Sequence, residues 1–259
     1  MIIFTAVPPP SRWNENKIKG RAEEIIGIVE GSGLKTINVP EVPEKVSPIE
    51  FSRILKGIKG EIDVIIDKVV PKNWGKEIEE IFREISNLTG KLALVKIGEN
   101  SNLVGLAKGY FREIYGITIF TRKGEDLRLF NRTVWGFDAF ISQIIFETES
   151  LRKTLENYYE LCRRNGVKPA RIFVSVAPAK GERDIRFLEG FRVEIPEDIK
   201  EEILMGNGLE VAKRLAEEVL SMPWNLGINV EHVMMDNLEL AGELLRCLAN
   251  RRTQNYTNF

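Results

Sequence analysis

Short apolar runs rich in Ile and Val alternate along the chain with longer charged segments whose apolar residues recur every three to four positions. The short runs read as strands buried on both faces and the longer segments as amphipathic helices, the alternation of a parallel sheet covered by helices. Strands are predicted over residues 2–7, 35–39, 62–66, 92–97, 117–121, 139–146, 171–177 and 228–234, and helices over 17–30, 48–56, 76–86, 149–165, 209–221 and 238–250. Eight strand–helix units in 259 residues predict a single α/β domain, a (β/α)8 TIM barrel over residues 1–250 with a polar tail over 251–259. The fifth unit is the tightest, because residues 124–132 must supply its helix. The helix starting at Glu149 is expected to take Thr148 as its cap, with Glu147 and Glu149 complementing its dipole. An open doubly wound sheet is the competing architecture, but no GxGxxG follows the first strand, so a Rossmann dinucleotide site has no support.

Composition narrows the partners. With 37 basic and 38 acidic residues the chain has no net field to draw nucleic acid or an anionic membrane. No apolar run is long enough to span a bilayer, and the opening MIIF has no basic segment before it, so the expectation is a cytoplasmic protein. Cys162 and Cys247 lie far apart in helical patterns without a CxxC pair, which points to two buried thiols rather than a disulfide or a metal site. Abundant Lys and Glu, one His and two Gln match the compositional bias of hyperthermophile proteins.

A barrel of this kind carries its chemistry at the carboxyl ends of its strands. The polar residues there are Thr5, Glu41, Asp67, Lys68, Gly98-Glu99-Asn100, Arg122 to Glu125, Gln143, Glu147, Lys180, Arg183, Asp236 and Asn237. Gln143 stands out, because a rare amide occupies a strand position where Val or Ile would be favoured, and a buried amide needs a bonding partner or a ligand. A satisfied core glutamine is the plainer alternative. His232 falls inside the last strand and reads as a core residue, and nothing in the chain has zinc spacing.

Residues 140–150, FISQIIFETES, followed by a helix ending near Cys162, then Asn165-Gly166-Val167 and a strand closing on Ala177-Pro178, resemble the sixth and seventh units of methylenetetrahydrofolate reductases. In that family an apolar strand carries Thr-Gln and aromatics before an acidic residue and Val-Glu-Ser. The segment RVEIP at 192–196 resembles its Arg-Ile-Pro element, and FTAVPP at 4–9 resembles its opening Phe-Glu-Phe-Phe-Pro-Pro. The likeness is closest from about residue 128 to 250 and thin before that.

The resemblance implies a flavin-dependent oxidoreductase of one-carbon metabolism and methionine biosynthesis. In it NAD(P)H or another electron donor reduces FAD or FMN, and hydride passes from the flavin to a methylene-pterin to give the methyl-pterin. It implies Gln143 and Glu99 as pterin-binding and catalytic groups, and Gly98, Glu125, Arg128 and Arg132 as flavin contacts. A glutamine amide donates and accepts at once, which suits a pterin edge, and charge beside a flavin tunes its potential. Thr5 stands where the family has its general-acid glutamate, and a threonine hydroxyl cannot supply that proton alone, so the expectation is that Glu41 or Glu99 acts through water or that the reaction is slow or different. The family's Tyr-Pro-Glu-x-x-His segment is missing at 120–125, and its histidine after strand three and arginine after strand eight give way to the region of Asp67 and to Asn237.

Two other functions fit the same residues. A non-redox pterin-binding subunit would work in a hetero-complex with a methyltransferase or electron-transfer partner. An unrelated barrel enzyme, an aldolase or phosphate-binding isomerase, would have only Lys180-Gly181 as its fragment of a site. A homo-oligomer is compatible with every reading.

Overall fold

The computed structural model describes residues 1–71, 74–96, 98, 100–232 and 234–256, with side chains followed to Asn250 and that of Met235 set aside. Eight parallel strands close into a barrel in sequence order: β1 (Ile2–Thr5), β2 (Thr36–Val39), β3 (Asp63–Val69), β4 (Lys91–Val95), β5 (Glu113–Thr118), β6 (Ala139–Ile144), β7 (Arg171–Val176) and β8 (Leu226–Glu231). The ring closes through β8 and β1, where Ile2 pairs with Ile228 and Thr5 with Glu231. The connecting helices are α1 (Glu15–Gly31), α2 (Pro48–Ile58), α3 (Glu77–Ser86), α4 (Ser101–Lys108), α5 (Glu125–Trp135), α6 (Glu149–Arg164), α7 (Glu182–Gly190), α8 (Glu197–Leu204), α9 (Gly208–Ser221) and α10 (Leu238–Tyr256). The single (β/α)8 barrel expected from the alternating pattern is therefore the fold. Among the described residues no helix is long and apolar enough to cross a membrane.

Alternation along each strand divides the side chains between two environments. Outward residues such as Phe4, Ile37, Ile66, Leu92, Phe140, Val174 and Ile228 join the helices in one large apolar cluster. Inward residues stack in three layers. At the amino-terminal end Lys91 pairs with Asp63 (2.5 Å), Arg171 with Glu113 (2.9 Å), and the Tyr115 hydroxyl donates to Glu113 (2.6 Å). Above this charged floor lies a separate apolar plug of Ile3, Ile65, Ala93, Tyr115, Ala139, Ile141 and Phe173. The third layer, at the carboxyl end, is polar.

Three expectations are corrected. β5 begins at Glu113, four residues before the predicted start, and ends at Thr118. The run Glu113-Ile-Tyr-Gly-Ile-Thr118 alternates polar and apolar weakly, because its inward residues Glu113 and Tyr115 are spent on the charged floor and the plug. That shift frees the chain length that α5 needs. Thr148 does not cap α6. The Glu147 carboxylate does so, accepting from Glu149 N–H (2.6 Å) and Ser150 N–H (3.1 Å), while the Thr148 hydroxyl donates to Glu218. Cys162 is buried as expected, but Cys247 is only half-buried; both are free thiols.

The chain adds α7 and α8 between β7 and α9, and one glycine fixes how that excursion returns. A Cβ on Gly208 would lie 1.8 Å from the Ala179 carbonyl oxygen, so the start of α9 packs backbone to backbone on the segment leaving β7. A Gly208→Ala variant is expected to lose about 1–3 kcal/mol by denaturant unfolding, because one of the two backbones must shift to admit the methyl group. Gly27→Ala, at an exposed position inside α1 with open space around it, should instead gain about 0.5–1 kcal/mol. Equal midpoints for the two variants would show that the close approach carries no weight.

Candidate functional site

The polar upper layer is assembled by strand register. β1 pairs Thr5 with Asn38 on one side and Glu231 on the other, and β7 pairs Ser175 with Asn229. Two residues beyond Ile65, the strand partner of Asn38, comes Asp67 at the inward phase of β3. The side chains connect in one chain of bonds. Asn38 Nδ2 donates to Thr5 Oγ1 (3.2 Å), and the Thr5 hydroxyl donates to Asn229 Oδ1 (2.9 Å). Asn229 Nδ2 then donates to Ser175 Oγ (2.8 Å) and Glu231 Oε1 (3.0 Å). Ser175 is anchored in turn by Ser142, through its own N–H to Ser142 Oγ (2.8 Å) and its hydroxyl to the Ser142 carbonyl (2.6 Å).

Two carboxyl groups share this mouth, and both are displaced toward the neutral form. Burial lifts Asp67 well above the ordinary carboxylate range, and the charge of Glu231 lifts it further, against a hydrogen bond from Asn38. Burial pushes Glu231 up to about 7, with Ser175 and Asn229 offsetting part of the effect. Asp67 Oδ1 and Asn38 Oδ1 are buried acceptors without a partner among the described residues. Orphaned buried acceptors are costly, and a proton on Asp67 turns one of them into a donor. The arrangement can therefore hold a neutral carboxylic acid at Asp67 while Glu231 gains and loses a proton near neutral pH, the division of roles that paired carboxyl groups adopt when their environments differ.

The residues expected from the sequence are dispersed around this layer. Thr5 lies inside it, between Asn38 and Asn229. Gln143 stands at the rim, where β6 breaks register against β7 between Ile141 and Ile144; its side chain is half-buried and donates to the Phe191 carbonyl (2.8 Å). Gly98 takes a left-handed conformation (φ 61°), and Glu99 lies outside the described residues. Glu41 is engaged by Lys68 (2.7 Å) and by the Val69 N–H (2.5 Å). His232 follows β8 and faces outward, tilted against Phe4 and bonded to the Thr5 carbonyl (3.2 Å), with burial pulling it down to about 4; it is the core histidine that was expected.

Glu125, Arg128 and Arg132 lie together on α5, beneath the end of β5. Glu125 is fully buried and accepts from the Thr118 hydroxyl (2.9 Å) and the Ile119 N–H (3.2 Å), with Arg122 and Arg128 at 3.7 and 3.5 Å. Arg132 donates to the Ile117 carbonyl (2.8 Å), and burial pulls it below the ordinary arginine value. These bonds fasten α5 to its own strand. Glu125 Oε2 and Arg128 Nε, 3.5 Å apart, are buried without a hydrogen-bond partner among the described residues, so the cluster keeps polar atoms beyond those that tie α5 to β5.

Sequence reasoning missed Asn38, Ser175, Asn229 and Glu231. A signal was present: Asn38 and Asn229 each stand at the centre of an Ile-Asn-Val tripeptide, an amide inside an apolar strand on the same argument that singled out Gln143.

No protein-family model matches the chain, and no curated protein matches its sequence. Solved structures share the fold. A Clostridium thermocellum protein that binds two copies of 5-methyl-5,6,7,8-tetrahydrofolic acid superposes with a TM-score of 0.83 at 20% identity, over 96% of this chain and 95% of that one. A protein from Aquifex aeolicus VF5 superposes with a TM-score of 0.56 at 12% identity, over 96% and 91%. At these identities the likeness is one of fold.

Proposed function

We propose that this barrel binds a reduced pterin one-carbon carrier of the tetrahydrofolate type in its carboxyl-terminal mouth, and that Glu231 delivers a proton to a pterin nitrogen. The observation that carries the reading is the bonded polar layer with two carboxyl groups held toward neutrality over an apolar plug. A pterin edge alternates donors and acceptors, and amides and protonated carboxyls answer both. When a bond between the one-carbon unit and a pterin nitrogen breaks, its electrons stay on nitrogen, and an acid titrating near 7 can neutralise them at working pH. The bound methyltetrahydrofolate of the similarly folded Clostridium thermocellum protein supports the ligand class.

In its finer form this is a methylenetetrahydrofolate reductase-like reaction, in which Glu231 takes over the proton that Thr5 cannot give. A second reading uses the same site without redox chemistry, as a pterin-binding subunit that works with a methyltransferase or electron-transfer partner. The bonds that Glu125 and Arg132 make within their own strand–helix unit support keeping this second reading beside the first.

Calorimetric titration of the purified protein with 5-methyltetrahydrofolate, beside its visible spectrum, separates these readings. Saturable binding is expected, weakened by more than about tenfold, or ~1.4 kcal/mol, in Asn229→Leu. No binding of any reduced pterin sinks the proposal. One equivalent of bound flavin selects the reductase, and a colourless protein that takes up no added flavin selects the subunit.

The displaced carboxyl has a stability consequence. Glu231 binds its proton more tightly in the folded chain, at about 7 against an ordinary 4.5, so its favourable contribution is complete below 4.5 and is lost as pH rises through 7. The loss amounts to about 3 kcal/mol by pH 8. Glu231→Gln, which keeps the bond from Asn229, is expected to melt near the parent at pH 5 and several degrees above it at pH 8. A melting difference that does not widen with pH would mean that Glu231 ionises in the mouth without cost and is not the acid.

A further inference from the structure

At the rim of the mouth Gln143 ties β6 to the connection after α7. Gln143 Nε2 reaches out of the irregular turn of β6 and donates to the carbonyl of Phe191, the first residue after α7. The connection it holds, residues 191–196, is strained and closely tied. Arg192 has φ 60°, in the left-handed region that a branched or long side chain enters at a cost. Its N–H bonds to the Glu189 carbonyl (2.8 Å), and the N–H of Val193 bonds to that of Leu188 (3.1 Å). Val193 and Ile195 are buried, and Lys200 pairs with Glu189 and Glu197 behind them.

Between this connection and the barrel lies a cleft lined by Phe120, Thr121, Gln143, Phe146, Glu147 and Glu194, of about 20 Å³. That is room for about one water and none for a ring. Outside it, Phe187 and Phe191 pack ring to ring (4.9 Å between centroids), yet both remain exposed, at 39% and 58%. An exposed aromatic pair thus sits beside a narrow cleft, and the backbone between them is strained at Arg192 and tied across the cleft by a neutral hydrogen bond from Gln143.

We propose that residues 191–194 form a cover that ligand displaces: the Phe191 carbonyl occupies the Gln143 amide in the free protein, and a flat heterocycle presenting its own acceptor to that amide takes its place and opens the cleft. The inference rests on the reading of the mouth as a pterin site. The exchange replaces one amide-to-carbonyl bond by another, so release needs no other bond to break at Gln143. Gln143 is then a gate as well as a reader of the ligand, and the fraction of open cover scales the apparent affinity.

Hydrogen–deuterium exchange of the full chain tests the latch with and without ligand. Gln143→Glu keeps the size of the side chain but removes the donor, so without ligand its amides at 191–195 should exchange at least about fivefold faster than the parent's, with Gln143→Leu agreeing. Parent-like exchange in both variants overturns the latch. In the parent protein, saturating 5-methyltetrahydrofolate should raise exchange at the same amides toward the variant level. Calorimetric binding with unchanged or slower exchange there overturns displacement. Absence of calorimetric binding counts against the pterin site itself, and the ligand-free variants still decide the latch.

Discussion

The amide of Asn229 is the interaction on which the mouth of this barrel depends. It accepts from Thr5 on β1 and donates to Ser175 on β7 and to Glu231 on its own strand, so one side chain joins three consecutive strands where the ring closes. An aspartate in its place would lose both donated bonds and add a third carboxyl group, and a leucine would take from the Thr5 hydroxyl its acceptor and from Ser175 and Glu231 a donor. Buried polar groups of this density are tolerable only when nearly every donor is used. The acceptors left over, on Asn38 and Asp67, mark where a proton or a ligand donor belongs.

This layer is held up by what lies beneath it. The apolar plug excludes water from below, which is why burial is the leading cause of the upward displacement of both Asp67 and Glu231. The charged floor of Asp63, Lys91, Glu113 and Arg171 closes the opposite end with ion pairs that are each complete, so its electrostatics stay local. The barrel thus separates a satisfied set of charges at one end from an incompletely satisfied set at the other. Incomplete satisfaction is the signature of a site, because stability there has been exchanged for groups able to bond a ligand.

The excursion through α7 and α8 belongs to the same design. Gly208 lets α9 return against the segment leaving β7, which pins the base of the excursion, while its tip at Phe191 touches the barrel rim through Gln143. A base seated backbone to backbone and a tip tied across to Gln143 would confine the proposed displacement to a few residues, away from the carboxyl layer. The α5 cluster differs. Glu125 and Arg132 bond to the end of β5, at Thr118, Ile119 and Ile117, and so fasten α5 to its own strand.

The barrel was legible in the chain because a parallel sheet buried on both faces demands continuous apolar strands, and runs such as FVSV and INV admit little else. His232 could be read as core and Gln143 as exceptional on the same grounds. What the linear pattern could not state was phase. The fifth strand was placed late because two of its inward residues, Glu113 and Tyr115, are polar members of the floor and plug, which a period-two reading of hydrophobicity passes over. Asp67 was legible only as one of many polar strand ends, and nothing in the linear pattern marked Glu231. Barrel closure joined the two by bringing β8 beside β1 and β3 two strands away, putting residues more than 160 positions apart on one inward layer. Which polar groups meet, and how far burial moves their protons, depends on that shared low-dielectric enclosure; the sequence determined the strands, and the closed ring alone decided their company.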